Sequence, residues 1–317
     1  MRGNVSDKLK PFLQQVNTAV AQMKEQNLSY EVGTTRQNLE NLAQFHGQKC
    51  DVAFVKDRKI KITDTENVSH EISARVYNPN PEQQLPVMLH FHGGGHMCGS
   101  IELYDTISRR LAQSCQAIII TVDYRLAPEY PYPAGLNDCA WALQHYQEYI
   151  EDMQHNSKVY IIGDSAGGAI CTSLAEKSLK DERLKIDKQI LIYPSVDYTM
   201  TAASVEDNGH GFLLEKEKVV WYFQQYFKNY QQPEIFTKAS PLYGKFSNKL
   251  PSTLIITAGC DPLRDEGEQY ALSLGKVGVP VQHVKFDEMI HAYMLLNDLV
   301  SSECYKTFQL IEKFVTD

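Results

Sequence analysis

The chain of 317 residues is 43% hydrophobic and 22% charged, enough to bury the core of one large α/β domain or of two small ones. A net charge of −8 argues against nucleic acid or an anionic membrane as the main partner, because both need basic surface. The 7 cysteines are scattered and never paired as C-x-x-C, which fits neither a disulfide framework nor a metal site of the zinc type. No stretch approaches the roughly 20 apolar residues of a spanning helix. Met1 to Lys8 lead into no apolar core of a signal peptide, so a cytoplasmic location is expected.

Residues 6–29 predict a helix, with Leu9, Phe12, Leu13, Val16, Val20 and Met23 at 3–4 spacing and Ser6 placed as N-cap. A second helix is expected over roughly 35–46. No strand precedes either, so residues 1–48 are read as helices lying over a sheet, with ordinary terminal packing as the alternative. Val52–Thr63 and His70–Tyr77 alternate with period two and predict an antiparallel pair. After the turn cluster Asn78-Pro79-Asn80-Pro81 comes the apolar strand Leu85–Phe91.

That strand runs into His92-Gly93-Gly94-Gly95-His96. Consecutive glycines let the backbone approach a ligand and point amides at it. One reading is a phosphate cradle, but no Gly-Lys-Ser/Thr follows. The other is an oxyanion loop for acyl transfer.

Strand and helix then alternate. A helix over roughly 102–114 is followed by the strand Ala117–Val122, and a helix over 134–151 by the strand Lys158–Ile162. The next residues, Gly163-Asp164-Ser165-Ala166-Gly167-Gly168, place a serine between two glycines at a strand-to-helix corner. A turn that tight pushes the Ser165 hydroxyl out at the top of a sheet and aims the amide of Ala166 beside it. Taken alone the motif is weak, since three specified residues recur by chance. A helix over 167–180 and the strand Gln189–Tyr193 follow. Such alternation predicts a mostly parallel sheet covered on both faces.

Residues 196–250 break the rhythm and are read as an insertion that packs with the N-terminal helices as a cap. Its aromatic run Val219–Phe227 serves either as core between cap helices or as the wall of an apolar pocket. The rhythm resumes with the strand Ser252–Ala258, a helix over 265–276, the strand Pro280–Phe286 and a last helix over 299–315.

A serine nucleophile needs a base, and the base an acid to orient it. In this class of sheet the chain order is serine, acid, histidine. Ser165, Asp261 and His291 satisfy it, each just past a predicted strand. Asp197 and Asp265 compete as the acid. Asp265 is an early helix residue, and Asp197 follows the preceding strand. His92 and His96 flank the glycine loop and are read as structural. The oxyanion hole would draw on Gly93, Gly94, Gly95 and Ala166, with Gly94 and Gly95 preferred within the loop.

These motifs, with Asp123-Tyr124-Arg125-Leu126-Ala127-Pro128-Glu129 and Asp261-Pro262-Leu263-Arg264-Asp265, resemble the hormone-sensitive-lipase-like family of α/β hydrolases, of the bacterial acetyl-esterase type with aspartate in the elbow. The resemblance covers about residues 50–315. It implies an α/β-hydrolase fold whose mostly parallel eight-stranded sheet is flanked by helices, with a catalytic domain over 49–317. It also implies serine carboxylic ester hydrolysis of short to medium acyl esters through an acyl-enzyme, without cofactor or metal. Arg125 and Glu129 are expected to form an internal ion pair. The sequence departs at His291-Ala292-Tyr293, where the family has His-Gly-Phe, and at His96-Met97-Cys98 after the glycines. A catalytically silent small-molecule binder and an amidase or peptidase using the same triad are the other readings. A homodimer is compatible with all of them.

Overall fold

The structure, a computed structural model, describes residues 1–63, 69–229 and 234–317. The helical elements before the sheet are α1 (Lys10–Glu25) and α2 (Val32–Glu40). Then come β1 (Phe54–Thr63), β2 (Ser69–Asn78), β3 (Leu85–Phe91), α3 (Ile101–Cys115), β4 (Ile118–Asp123), α4 (Ala134–Gln144), α5 (Tyr146–Tyr149), β5 (His155–Asp164), α6 (Ala166–Ser178) and β6 (Lys188–Ile192). Three short helices, α7 (Ala203–Asn208), α8 (Lys216–Tyr226) and α9 (Glu234–Ala239), interrupt the alternation. It ends with β7 (Ser252–Cys260), α10 (Arg264–Lys276), β8 (Val281–Ile290) and α11 (Ser301–Thr316).

The eight strands form one sheet in the order β1-β2-β4-β3-β5-β6-β7-β8. β3 to β8 run parallel, and β2 is antiparallel to both β1 and β4. The register, with Ile60 opposite Ile72, keeps Ile60, Ile62, Ile72, Ala74 and Val76 on a buried face, as their period-two pattern requires. The central strands are apolar along nearly their whole length because both faces are covered. One face packs against α3 and α11 through Leu103, Leu111, Phe308 and Ile311, and the other against α4, α6 and α10 through Leu143, Leu174 and Leu274.

Local chemistry explains where elements begin and end. Ser100 caps α3 by accepting from the Leu103 amide at 3.0 Å. Ser6 makes no such bond. A 3-10 turn over Asp7–Leu9 precedes α1, whose first turn holds Pro11, a residue suited to a place where no amide is needed. The helix expected over 134–151 is broken at His145, which leaves α5 as a single turn.

The N-terminal 40 residues, with α1 and α2, meet the segment between β6 and β7 over the carboxyl ends of the parallel strands. Arg2 donates to the carbonyls of Asp207 and His210, Asn17 to that of Gly211, and Tyr30 packs on Trp221 at 5.5 Å. No helix of the described residues is long and apolar enough to cross a membrane.

Candidate active site

Ser165 stands at the junction of β5 and α6 with φ 53° and ψ −118°, a conformation foreign to either element. It is affordable only because of its neighbours. A Cβ on Gly163 would collide with the backbone of Gly167, and one on Gly167 with the Phe91 carbonyl. The elbow is pinned to the adjoining strand from both sides. The Ser165 amide donates to Ile192 at 2.9 Å, and the Ser165 carbonyl accepts from Ser195 at 3.0 Å.

The parallel sheet then brings the other groups to the same edge. Asp261 is the first residue after β7 and His291 the first after β8. His291 Nε2 lies 2.8 Å from Ser165 Oγ, and His291 Nδ1 lies 2.7 Å from Asp261 Oδ2. The other oxygen, Asp261 Oδ1, accepts from the Leu263 amide at 2.8 Å, so the carboxylate cannot rotate away. It is fully buried, and His291 nearly so. An anion held in that place fixes the imidazole tautomer with its proton on Nδ1 and leaves Nε2 to accept from serine. The competing acids are engaged elsewhere. Asp197 accepts from the Thr199 amide and from Thr201 Oγ1, and Asp265 from the Ser204 amide and Arg264.

The glycine loop lies beside the serine. Gly94 and Gly95 have φ of 119° and 64°, which a residue with a side chain rarely adopts. Among the described residues, the amides of Gly94, Gly95 and Ala166 donate to no protein group. Gly93 is a correction to the expected set. Its amide donates to Asp164 Oδ1 at 2.8 Å and is therefore spent on holding the loop rather than offered to a ligand.

From sequence alone, Asp164 has no role beyond being the aspartate in the elbow. It is a buried tie between two strand ends, accepting from Gly93 and, through Oδ2, from the Tyr104 hydroxyl at 2.9 Å. Burial pushes its carboxyl up to about 6, against the opposing pull of those two hydrogen bonds. An acidic residue closing an apolar strand, with no cation near it in sequence, was the available signal.

His92 is sandwiched between Tyr104 and Tyr124, at 5.4 and 4.5 Å, and its Nδ1 faces the Gly93 carbonyl. His96 stacks on Tyr226 at 3.8 Å and bonds the Tyr198 hydroxyl at 3.0 Å. Burial holds the two rings down at about 4 and about 3, so both are neutral packing groups at ordinary pH.

The expected Arg125–Glu129 pair does not form. Arg125 binds Asp138 at 2.8 Å, while Glu129 binds Arg36 of α2 at 2.6 Å. Arg36 also donates to the carbonyls of Met97 and Ala127 at 2.8 and 2.9 Å, which ties α2 to the far end of the glycine loop. Partners so distant in sequence leave no local trace.

A cavity of about 730 Å³ opens over Ser165. Its walls come from α1 and α2 (Phe12, Val16, Leu39), from α8 (Val219, Tyr222, Phe223) and from the site itself. The aromatic run of α8 thus divides. Tyr222 and Phe223 face the cavity, whereas Tyr226 and Phe227 pack with Tyr132 and Tyr198 beneath it. Among the described residues no group of three or more metal-ligating side chains is assembled.

Residues 88–295 match the family described as alpha/beta hydrolase fold. An arylesterase of Saccharolobus solfataricus is 33% identical over 271 residues, covering 84% of this chain and 85% of that protein. An ethyl acetate hydrolase of Pseudomonas putida is 30% identical over 270 residues, covering 84% and 83%. Among solved structures, a hyperthermophilic esterase from the archaeon Pyrobaculum calidifontis superposes with a TM-score of 0.83 at 30% identity, covering 98% of both chains.

Proposed function

The chain belongs to the α/β-hydrolase fold family, in its hormone-sensitive-lipase-like branch, and is a carboxylesterase; from that premise we propose that Ser165, His291 and Asp261 hydrolyse the ester through an acyl-enzyme. What supports this reading is the unbroken chain from Ser165 Oγ through the imidazole to a buried carboxylate, at 2.8 and 2.7 Å.

Ser165 Oγ attacks the ester carbonyl while its proton passes to His291 Nε2. The carbonyl π electrons move to oxygen, and that oxyanion faces the amides of Gly94, Gly95 and Ala166. Each such fixed donor is worth about 3–4 kcal/mol of barrier. Asp261 stabilises the imidazolium without taking its proton. Collapse of the intermediate expels the alcohol, which leaves with the proton from His291. Water then enters, gives a proton to His291 and attacks the acyl carbon. The second collapse returns the proton to Ser165 and releases the carboxylic acid.

We assign α1 and α2, with the segment between β6 and β7, to a cap that selects the substrate. The cavity of about 730 Å³ and its apolar walls suit short to medium acyl esters. The test is a series of p-nitrophenyl esters of increasing acyl length, run on wild type and on Ser165→Ala. A steep loss in the variant at every length is expected. Equal rates for the two proteins would remove Ser165 from the mechanism.

A further inference from the structure

The cavity over Ser165 contains a charge that the chemistry above does not use. Lys218, the third residue of α8, lines it, and no other lysine or arginine does so among the described residues. Among the described residues, no carboxylate lies within ion-pair distance of its ammonium. The acids nearby are committed to other groups. Glu215 accepts from the Gly211 amide at 2.7 Å and faces His210 at 3.2 Å. Glu217 pairs with Lys24 at 3.0 Å, and Asp164 is held by Gly93 and Tyr104. Glu31, at the rim, is an exposed side chain beside Thr34.

Helix stability does not explain the residue. A cation in the first turn opposes the positive end of the helix dipole. Lys216, in the same turn, is offset by Glu206, and among the described residues Lys218 has no such direct ion pair. Partial burial pushes its ammonium below the usual lysine range, against the opposing pull of the Glu215 charge, and no carboxylate among the described residues pairs with it directly. A cation kept without a direct ion pair in a mostly apolar cavity, at some cost to the fold, reads as a binding group.

The position relative to the ester is set by one aromatic ring. Lys218 Nζ lies 5.7 Å from the centroid of Tyr222, and the same ring lies against Gly95, where an added Cβ would come within 2.7 Å of it. One ring and one van der Waals contact place the ammonium within about 11 Å of the oxyanion loop. A hydrogen bond at each end leaves at most about 5 Å to bridge, which about four bonds of extended chain, at about 1.2 Å each, or a slightly longer bent chain can span.

Building on the ester-hydrolase reading, we propose that Lys218 recognises a carboxylate on the substrate, so that the preferred substrates are carboxylate-bearing esters whose anionic group stands about four to six bonds from the scissile carbonyl. The residue selects the substrate and takes no part in bond making.

The experiment compares two matched pairs. Mono-p-nitrophenyl adipate against p-nitrophenyl heptanoate puts the anion on the acyl side. 4-Acetoxybutanoate against pentyl acetate puts it on the alcohol side at the same five-bond spacing. The ratio of kcat/KM, anionic over neutral, is expected to fall about tenfold in Lys218→Met for one of the pairs, through KM, and to recover in Lys218→Arg. A ratio unchanged in both pairs overturns the proposal. Calorimetry gives a second readout independent of turnover. Ser165→Ala should bind monomethyl adipate, and adding Lys218→Met should weaken that affinity about tenfold. Equal affinities, or no binding by Ser165→Ala, overturn it too. Failure of the wild type on all four esters would instead count against the ester-hydrolase reading, and the calorimetry would still decide on the lysine.

Discussion

Replacing Asp164 by asparagine isolates the energetics of the tie beneath the glycine loop. Asparagine keeps an oxygen for the Gly93 amide, and its amino group can donate to Tyr104 once that hydroxyl turns. What disappears is the buried charge. The wild-type carboxyl titrates at about 6 in the folded protein against an ordinary 3.8, because burial disfavours the ion. That rise corresponds to about 3 kcal/mol. Between pH 4 and 6 the unfolded chain has already released this proton while the folded chain still holds it. Wild-type stability therefore falls across that window as pH rises, and the contribution is flat above it. The variant lacks this component. Urea unfolding of both proteins from pH 4 to 8 should show the variant gaining on wild type by about 3 kcal/mol between pH 4 and 6, then running parallel. A difference that stays constant over the whole range would refute the assignment of a buried, reluctant carboxylate.

Asp261→Asn is expected to keep the fold and lower kcat about 10⁴-fold in a p-nitrophenyl acetate assay. With its oxygen held by the Leu263 amide, the new NH₂ group faces His291 Nδ1 and forces the proton onto Nε2, the wrong tautomer. Arg36→Met should cost about 1–2 kcal/mol in urea unfolding, carried by the two backbone carbonyls it leaves rather than by the half-exposed Glu129 pair. Its kcat/KM should fall with stability held by low temperature, because the carbonyl of Met97 ends the glycine loop. Ala292 sits in the left-handed region at φ 61°. Ala292→Gly relieves a strain of about 1 kcal/mol, partly offset by unfolded-chain entropy, so a rise in Tm of about 1–2 °C is expected by calorimetry.

The sheet and the meeting of Ser165, Asp261 and His291 at one edge were legible because each rests on a periodic or positional rule. Apolar runs marked the central strands, and residues just past β5, β7 and β8 had to share one edge. Ala292 was legible as a departure from the family, and the left-handed φ there explains why glycine is the usual residue. What stayed hidden depended on contacts between distant segments. Nothing around Arg125 or Glu129 names Asp138 or Arg36 as the true partners. Three glycines in a row look equivalent until the Asp164 carboxylate claims the amide of the first. The run Val219–Phe227 has the same aromatic character throughout, so only the packing of Tyr226 and Phe227 on Tyr132 separates core from wall.

The contacts that close the cavity also set when the protein can become active. Arg2 bonds to residues 205 and 208 positions further along the chain, and His291 must find Ser165 126 positions earlier. Such pairings are late events, since the entropy of closing long loops has to be met before they form. A ribosome-bound fragment ending before β8 would have its nucleophile and its glycine loop but no base. If His291 is the base, as proposed, ester turnover by this chain reports on complete folding.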